Sequence, residues 1–139
     1  MSMLYGDSFE DKTTYSEAYT FISFFRENSK LLSAENLIMP ATTLTTNCYR
    51  TMFYQCTNLV KGPVLPATKL IGGCYYGIFS GCSSMNYITC LATNISASNC
   101  TNGWVNNVAA TGTFVKNPNM NSWTTGTSGI PSGWTVQDA

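Results

Sequence analysis

The chain has 139 residues, of which 44% are hydrophobic, and its seven acidic and seven basic side chains give a net charge of zero. This length matches one domain with a sizeable core, and the apolar content excludes a disordered polymer. A neutral chain with scattered bases lacks the positive field that nucleic-acid binding needs, so we predict no nucleic-acid partner.

The side chains on which most catalysis depends are scarce. There is no histidine, and no carboxylate side chain stands between Asn36 and Gln137. Ser–His–Asp and Cys–His arrangements are therefore impossible, and general acid–base chemistry has few candidates. The sequence also lacks a phosphate-binding Gly-x-x-x-x-Gly-Lys loop, closely spaced cysteine pairs for zinc, and calcium-binding carboxylates beyond the N-terminal acids. We predict no catalytic, cofactor-binding or metal-binding residues and a protein that is not an enzyme.

No apolar run approaches the roughly 20 residues that span a bilayer, so no membrane span is predicted. The first twenty residues lack a basic start followed by an apolar stretch, and no signal peptide is predicted there. We expect the chain either to begin after a signal sequence or to be the tail of something longer. Beyond residue 35, neutral Ser, Thr and Asn largely replace charged residues, a composition typical of extracellular or surface proteins.

Taken in order, residues 1–17 carry no repeat and are predicted to form an N-terminal cap or leader. Residues 18–100 contain repeats, at 20–47, 48–73 and 74–99. Cys48, Cys74 and Cys100 stand 26 residues apart, and this spacing indicates a solenoid whose units bury their apolar faces by stacking. The first copy is degenerate and has a two-residue insertion near 33–36, which we expect in a loop. Residues 101–139 are predicted as a last degenerate repeat and a C-terminal cap.

Within each copy the stretch between two cysteines predicts a short helix, because its apolar residues share one helical face. Asn47 and Asn99 stand where an N-cap is expected, and Gly81 and Asn107 stand near the expected helix end. Strands are predicted at Leu59–Val60, Met85–Ile88, 113–115 and 134–136, with Pro63 and Pro66 limiting the first of these. One short helix and one short strand per repeat is the leucine-rich-repeat pattern. The predicted fold class is α/β, a leucine-rich-repeat solenoid of about four short helix–strand repeats.

The six cysteines leave two interpretations open. Periodic cysteines could form a disulfide ladder in an exported protein, or they could be small buried thiols at one stacked interior position. We favour buried thiols, because Val108 replaces the ladder cysteine in the fourth copy without visible compensation.

Two stretches carry a more specific pattern. Residues 52–59 (MFYQCTNL) and 78–85 (IFSGCSSM) resemble the Phe-x-x-Cys-x-x-Leu core of BspA-like leucine-rich repeats, and 65–70 (LPATKL) is similar to that family's link between strand and helix. The resemblance covers about residues 18–139. It implies a surface-exposed or secreted bacterial protein, as found in gut bacteria, that serves in adhesion or recognition and has no catalytic residues to transfer.

Binding would use a repeat face, since curved solenoids commonly bind through their strand surface. Tyrosine joins an apolar ring to a hydroxyl and suits such a surface. The candidate ligand-binding residues are Asn58, Val60, Lys61, Asn86, Tyr87, Thr89 and Tyr76.

The leading functional hypothesis is a non-catalytic bacterial cell-surface domain for adhesion or recognition that binds a host or bacterial surface protein. The alternatives are a glycan- or receptor-binding module of a fibre-like protein, and a structural spacer that holds another domain off the surface. The expected location is extracellular or at the cell surface.

Overall fold

The computed structural model describes residues 11 and 13–139, so most of the predicted N-terminal cap at 1–17 lies outside the described residues. From Thr13 to Ala139 no residue is helical. The regular elements in this part of the chain are four strands that pair in parallel, in sequence order, into one sheet. They are β1 (Lys61–Leu65), β2 (Tyr87–Cys90), β3 (Thr113–Lys116) and β4 (Thr135–Asp138).

The sheet is the common side of a stack of coils. The first, second, third and fourth coils comprise residues 19–46, 47–72, 73–98 and 99–124, and a closing segment, 125–139, follows. Each coil contributes a run of turns, and the second to fourth coils also contribute strands β1, β2 and β3. The closing segment contributes β4. Backbone hydrogen bonds join successive coils, for example Thr51 N–H of the second coil to the Tyr76 carbonyl of the third and Gly77 N–H of the third to the Asn102 carbonyl of the fourth.

Strand β1 departs from the predicted strand. It begins one residue after Val60 and runs through Pro63, which was expected to limit the strand. The register between β1 and β2 shifts between Lys61 and Val64, so the strand is irregular where the proline lies. Proline has no amide hydrogen to donate, and an irregular position on a strand tolerates that loss. The strand predicted at Met85–Ile88 overlaps β2, and the strands predicted at 113–115 and 134–136 overlap β3 and β4.

The stretches predicted as helices are instead runs of overlapping β-turns, which we call the turn runs (19–28, 47–56, 73–82 and 99–108). In the second coil every second amide closes a turn: Met52 N–H, for instance, donates to the Tyr49 carbonyl at 3.2 Å. Thr51, the third residue of that turn, has a φ of 52°, whereas Arg50 before it has no positive φ, and this combination is the pattern of a type II turn. Positive φ recurs at the first, fifth and ninth residue of every run: 19, 23, 27, 47, 51, 55, 73, 77, 81, 99, 103 and 107.

Most of the remaining amides of the first three turn runs bond to the next coil. Tyr49 N–H donates to the Cys74 carbonyl at 3.1 Å, and Phe53 N–H donates to the Ile78 carbonyl at 3.0 Å. A helix would direct these amides along its own axis and leave none for a neighbouring coil. The turn runs therefore form a second hydrogen-bonded ladder, separate from the sheet.

The predicted α/β leucine-rich-repeat solenoid of helix–strand repeats is therefore wrong. The apolar spacing that suggested a helical face arises because each turn run directs some side chains inward and others outward. Asn47, Asn99 and Asn107 are not helix caps: each holds the left-handed conformation that asparagine and glycine adopt most readily. The period of 26 residues was nevertheless predicted correctly, since paired residues of neighbouring strands, such as Lys61 and Tyr87 or Tyr87 and Thr113, are 26 positions apart in the sequence.

Two aromatic stacks run through the core. One contains Phe25, Phe53 and Phe79, whose ring centroids lie 5.4 and 5.6 Å apart in nearly parallel planes. The other contains Phe21, Tyr49, Tyr75, Trp104 and Trp123, at centroid distances of 5.8, 6.1, 6.4 and 5.4 Å. Apart from Phe25 and Trp123, which are partly buried, these rings are almost completely buried. The stacks follow from the coil ladder, because it places equivalent side chains directly above one another.

The fourth coil continues the second stack by a substitution. Thr101 stands in the sequence position of Tyr75, and Trp104 stands in that of Ile78. The Trp104 ring nevertheless fills the aromatic stack above Tyr75, and its Nε1 donates to the Gly129 carbonyl at 2.8 Å. Thr101 Oγ1 donates to the Ser128 carbonyl at 2.8 Å. The closing segment thus accepts hydrogen bonds that a further coil would otherwise receive.

The turn runs predict that replacing Gly103 by alanine destabilises the protein, which is the opposite of the effect expected in a helix. In a helix, Gly103→Ala would stabilise the protein by about 1 kcal/mol. Gly103 has a φ of 58° and an added Cβ would meet nothing within 4 Å, so here alanine should destabilise by about 1 kcal/mol through backbone strain alone. Gly103→Asn is the matched control and should be nearly neutral. Urea unfolding measures both, and a stabilised Gly103→Ala variant would contradict the turn geometry.

Two stacked tyrosines predict opposite effects of the same substitution. The hydroxyl of Tyr49 bonds to that of Tyr15 at 2.5 Å, whereas the buried hydroxyl of Tyr75 has no hydrogen-bond partner among the described residues. An unpaired buried hydroxyl costs about 1–3 kcal/mol. Tyr75→Phe should therefore leave the free energy of unfolding unchanged or raise it, while Tyr49→Phe should lower it by about 1 kcal/mol. Equal losses in both variants would count against this assignment.

Candidate functional site

The parallel sheet brings together three of the predicted site residues. Lys61 is paired in register with Tyr87, and Val64 with Thr89, so these four residues form two adjacent rows on the outer side of β1 and β2. The Lys61 ammonium lies 4.5 Å from the centre of the Tyr87 ring and 3.0 Å from Glu35 Oε2. These contacts hold the Lys61 side chain between the first coil and β2.

Three further predicted site residues, Asn58, Val60 and Asn86, precede strands β1 and β2 in the structure. Val60 is 42% exposed, and its carbonyl accepts from Asn86 N–H at 3.0 Å. Asn86 is also exposed. Asn58 has a structural contact instead: its Nδ2 donates to the Ser29 carbonyl of the first coil at 2.8 Å. Val60 and Asn86 therefore extend the surface of Lys61 and Tyr87, and Asn58 ties two coils together.

Tyr76 lies apart from this group, in a turn run and not in the sheet. The guanidinium of Arg50 covers its ring at 4.0 Å from the centroid. Tyr54 has the same environment one coil earlier, with Arg26 at 4.7 Å. These cation–π contacts between successive coils occupy one face of each ring.

Sequence reasoning missed several exposed apolar side chains next to Lys61. Leu32 is 65% exposed and its carbonyl accepts from Val60 N–H at 2.9 Å, so the two side chains belong to neighbouring coils at the same level. Ile38 and Val64 are about half exposed and line one groove. We define the β1 surface as Leu32, Ile38, Val60, Lys61, Val64, Tyr87 and Thr89.

The groove of the β1 surface encloses about 550 Å³ between residues 35–40 of the first coil and Val64 and Pro66 of the second. It exists because the first coil pairs with β1 only at Ser33 and Lys61 and then turns away at Glu35 and Asn36. The signal that could have located it was the two-residue insertion near 33–36, which the sequence predicted to lie in a loop.

A second group of exposed apolar side chains, Tyr19, Ile22 and Phe24, lies on the first turn run. Among the described residues no coil stacks against its outer side. A cavity of about 280 Å³ reaches Phe25 on the same turn run, but Tyr19, Ile22 and Phe24 do not line it. The β1 surface, by contrast, combines exposed apolar side chains with a groove and an edge strand.

The six cysteine thiols are free and buried, which confirms the preferred interpretation of their period. Cys82 Sγ donates to the Phe53 carbonyl at 3.0 Å, and Cys56 Sγ makes the same contact with Phe25. Each of these two thiols thus bonds to the coil before its own. Val108 has no such donor, and the pattern ends there.

Burial suppresses the reactivity of these thiols. It raises the pKa of Cys48 to about 11 and the pKa values of Cys82 and Cys90 to about 12, and it also raises the pKa of Cys74. Thiolates are the nucleophilic and metal-binding form of cysteine, so buried neutral thiols do neither kind of chemistry readily. In the described part of the chain, no three His, Cys, Asp or Glu side chains lie close enough together to hold a metal ion.

Comparison with known proteins identifies no relative: no family model, curated protein or solved structure matches the chain significantly. Among the residues that the structure describes, no helix has the length and apolar character needed to cross a membrane.

The buried thiols predict a loss of stability at alkaline pH. A thiol in the unfolded chain loses its proton near pH 9, whereas Cys48, Cys82 and Cys90 keep theirs in the folded protein up to about pH 11 or 12. Above pH 9 the folded state therefore binds more protons than the unfolded state. The contribution of these thiols to the free energy of unfolding should be complete below pH 9. Above pH 9 the free energy of unfolding should fall by up to about 1.4 kcal/mol per pH unit for each such thiol.

Urea unfolding in the presence of a reductant measures this dependence between about pH 7.5 and pH 10.5. Cys90→Ala is the control: it should be less stable at neutral pH, and its stability should fall less steeply above pH 9, because one titrating thiol is missing. Parallel pH profiles for the two proteins would contradict the assignment.

Proposed function

We propose that the chain is a non-catalytic recognition module that binds a protein partner through the β1 surface. The observation that carries this proposal is the clustering of exposed apolar side chains around Lys61 and Tyr87, beside a groove that Ile38 and Val64 line. Large exposed apolar groups that adjoin one another are typical of protein-binding sites, whereas isolated ones are common on any surface. Aromatic residues at the centre of such a site are the usual energetic anchors.

The contacts of the tyrosines favour a protein over a glycan. Sugars bind to open aromatic faces, but the rings of Tyr54, Tyr76 and Tyr87 each carry a cation on one face. The apolar side chains around the groove provide contacts that a protein segment can match and a hydroxyl-rich sugar cannot. A glycan- or receptor-binding fibre module and a structural spacer are the competing functions.

An extracellular or bacterial cell-surface location belongs to the same proposal. Its support is the sequence composition, in which uncharged Ser, Thr and Asn dominate beyond residue 35. The adhesion role rests on the repeated aromatic–cysteine motif and on the scarcity of catalytic side chains. The likeness to BspA-like proteins stays a prediction that rests on that motif and on residues 65–70, and the helices it implied are not part of the proposal.

Binding of the purified protein to arrays of extracellular proteins and of glycans tests the function. We expect signal on proteins, with affinity reduced at least about tenfold by Tyr87→Ala, as for an anchor residue worth about 1.4 kcal/mol or more. Tyr76→Ala is the matched control, because its ring is also partly buried beneath a cation but lies in a turn run; it should change affinity less than about twofold. Signal on glycans alone would favour the fibre module, and no signal on either array would favour the spacer.

A further inference from the structure

Strand β1 is an edge of the sheet, and part of its backbone faces the groove. In a parallel ladder, successive residues direct their main-chain groups alternately to one neighbouring strand and the other. The Leu65 carbonyl accepts from Leu91 N–H at 3.0 Å, so Leu65 faces the β2 side. The N–H and C=O of Val64 therefore point toward the first coil. No backbone hydrogen bond joins Val64 to any described residue of that coil.

The groove follows this open part of β1. Residues 35–40 form its far wall, and the Val64 and Pro66 side chains form the near wall. Pro40 and Pro66 have no amide hydrogen, so these positions of the walls offer no donor of their own. An occupant that satisfies Val64 must therefore bring both a backbone donor and a backbone acceptor, as an extended peptide segment does.

The charge of the groove restricts the occupant further. Its one carboxylate among the described lining residues, Glu35, is paired with Lys61 at 3.0 Å, and the other lining side chains are uncharged. Charge complementarity therefore selects an uncharged segment. The exposed apolar groups of Ile38 and Val64 favour β-branched or other apolar side chains in it, which also suit an extended strand.

The opposite edge of the sheet differs in one decisive respect. Strand β4 is exposed along its whole length, and Val136 is about as exposed as Val64. None of the grooves found in the described residues runs beside β4. A strand added there would gain backbone hydrogen bonds but no facing wall.

We propose that the groove binds an extended, uncharged, apolar segment of the partner protein as an additional strand beside β1, hydrogen-bonded to the main chain of Val64. This binding mode rests on the proposed function, since it specifies how the β1 surface would hold its partner. The partner's backbone supplies the hydrogen bonds, and its alternate side chains contact Ile38 and Val64.

Selection from a displayed library of random peptides of about twelve residues, with the full chain as bait, provides the probe. We expect uncharged sequences with alternating β-branched or apolar residues. The best synthetic peptide should bind Val64→Glu at least about tenfold more weakly than the unsubstituted protein. Val136→Glu is the matched control, an equally exposed valine on the other edge strand, and should change the affinity less than about twofold. Equal effects of the two substitutions would overturn the proposed site.

Methylation of single backbone amides of that peptide tests the hydrogen bonding itself. Strand addition predicts that alternate positions are sensitive, because only every second amide faces β1. Uniform tolerance of methylation, or selection of charged or helical peptides or of none, would overturn the strand-addition mode. The protein array and the Tyr87→Ala variant report on the proposed function separately, so a protein partner that binds there without strand addition would leave that function standing.

Discussion

Backbone hydrogen bonding between successive coils is the constraint on which the rest of this structure depends. Each of the first three turn runs satisfies about half of its amides locally and directs most of the others to the next coil. On the sheet side the strands bond to the strands of neighbouring coils. Buried backbone groups must be paired, and in this protein the partner is a residue about 26 positions away. The coil length is therefore set by the backbone, and a coil of different length must loop out its extra residues.

The packing of the core follows from that alignment. Once the ladder places equivalent residues above one another, a ring stacks on a ring and a thiol bonds to the carbonyl of the coil before it. Cysteine suits the second position because it is small, tolerates burial and is a weak donor. The stack through Tyr49 and Tyr75 continues at Trp104 although the residue in register is Thr101. An aromatic ring therefore fills the same place in the core, although it comes from a different position in the repeat.

The surface with functional potential arises where the alignment is interrupted. The longer first coil cannot follow β1 beyond Lys61, so it leaves an edge strand open and places residues 35–40 opposite it. An open edge strand is ordinarily a liability for aggregation, and proteins usually cover or charge it. Here the facing wall limits what can pair with the strand, which is how an edge can become a selective binding site.

The sequence by itself determined the 26-residue period, the positions of three of the four strands, the burial of the thiols, and Lys61, Tyr87 and Thr89 as neighbours. Each of these depends on repetition or on local side-chain type, which a single chain displays. It did not reveal the turn runs, although glycine or asparagine stands at every fourth residue from 73 to 81 and from 99 to 107. Turns and a short amphipathic helix share the same apolar spacing, and the choice between them depends on hydrogen bonds to another coil. The tertiary structure alone decided which edge of the sheet stays open and that Tyr76 lies away from the other candidates, because both depend on how whole coils stack.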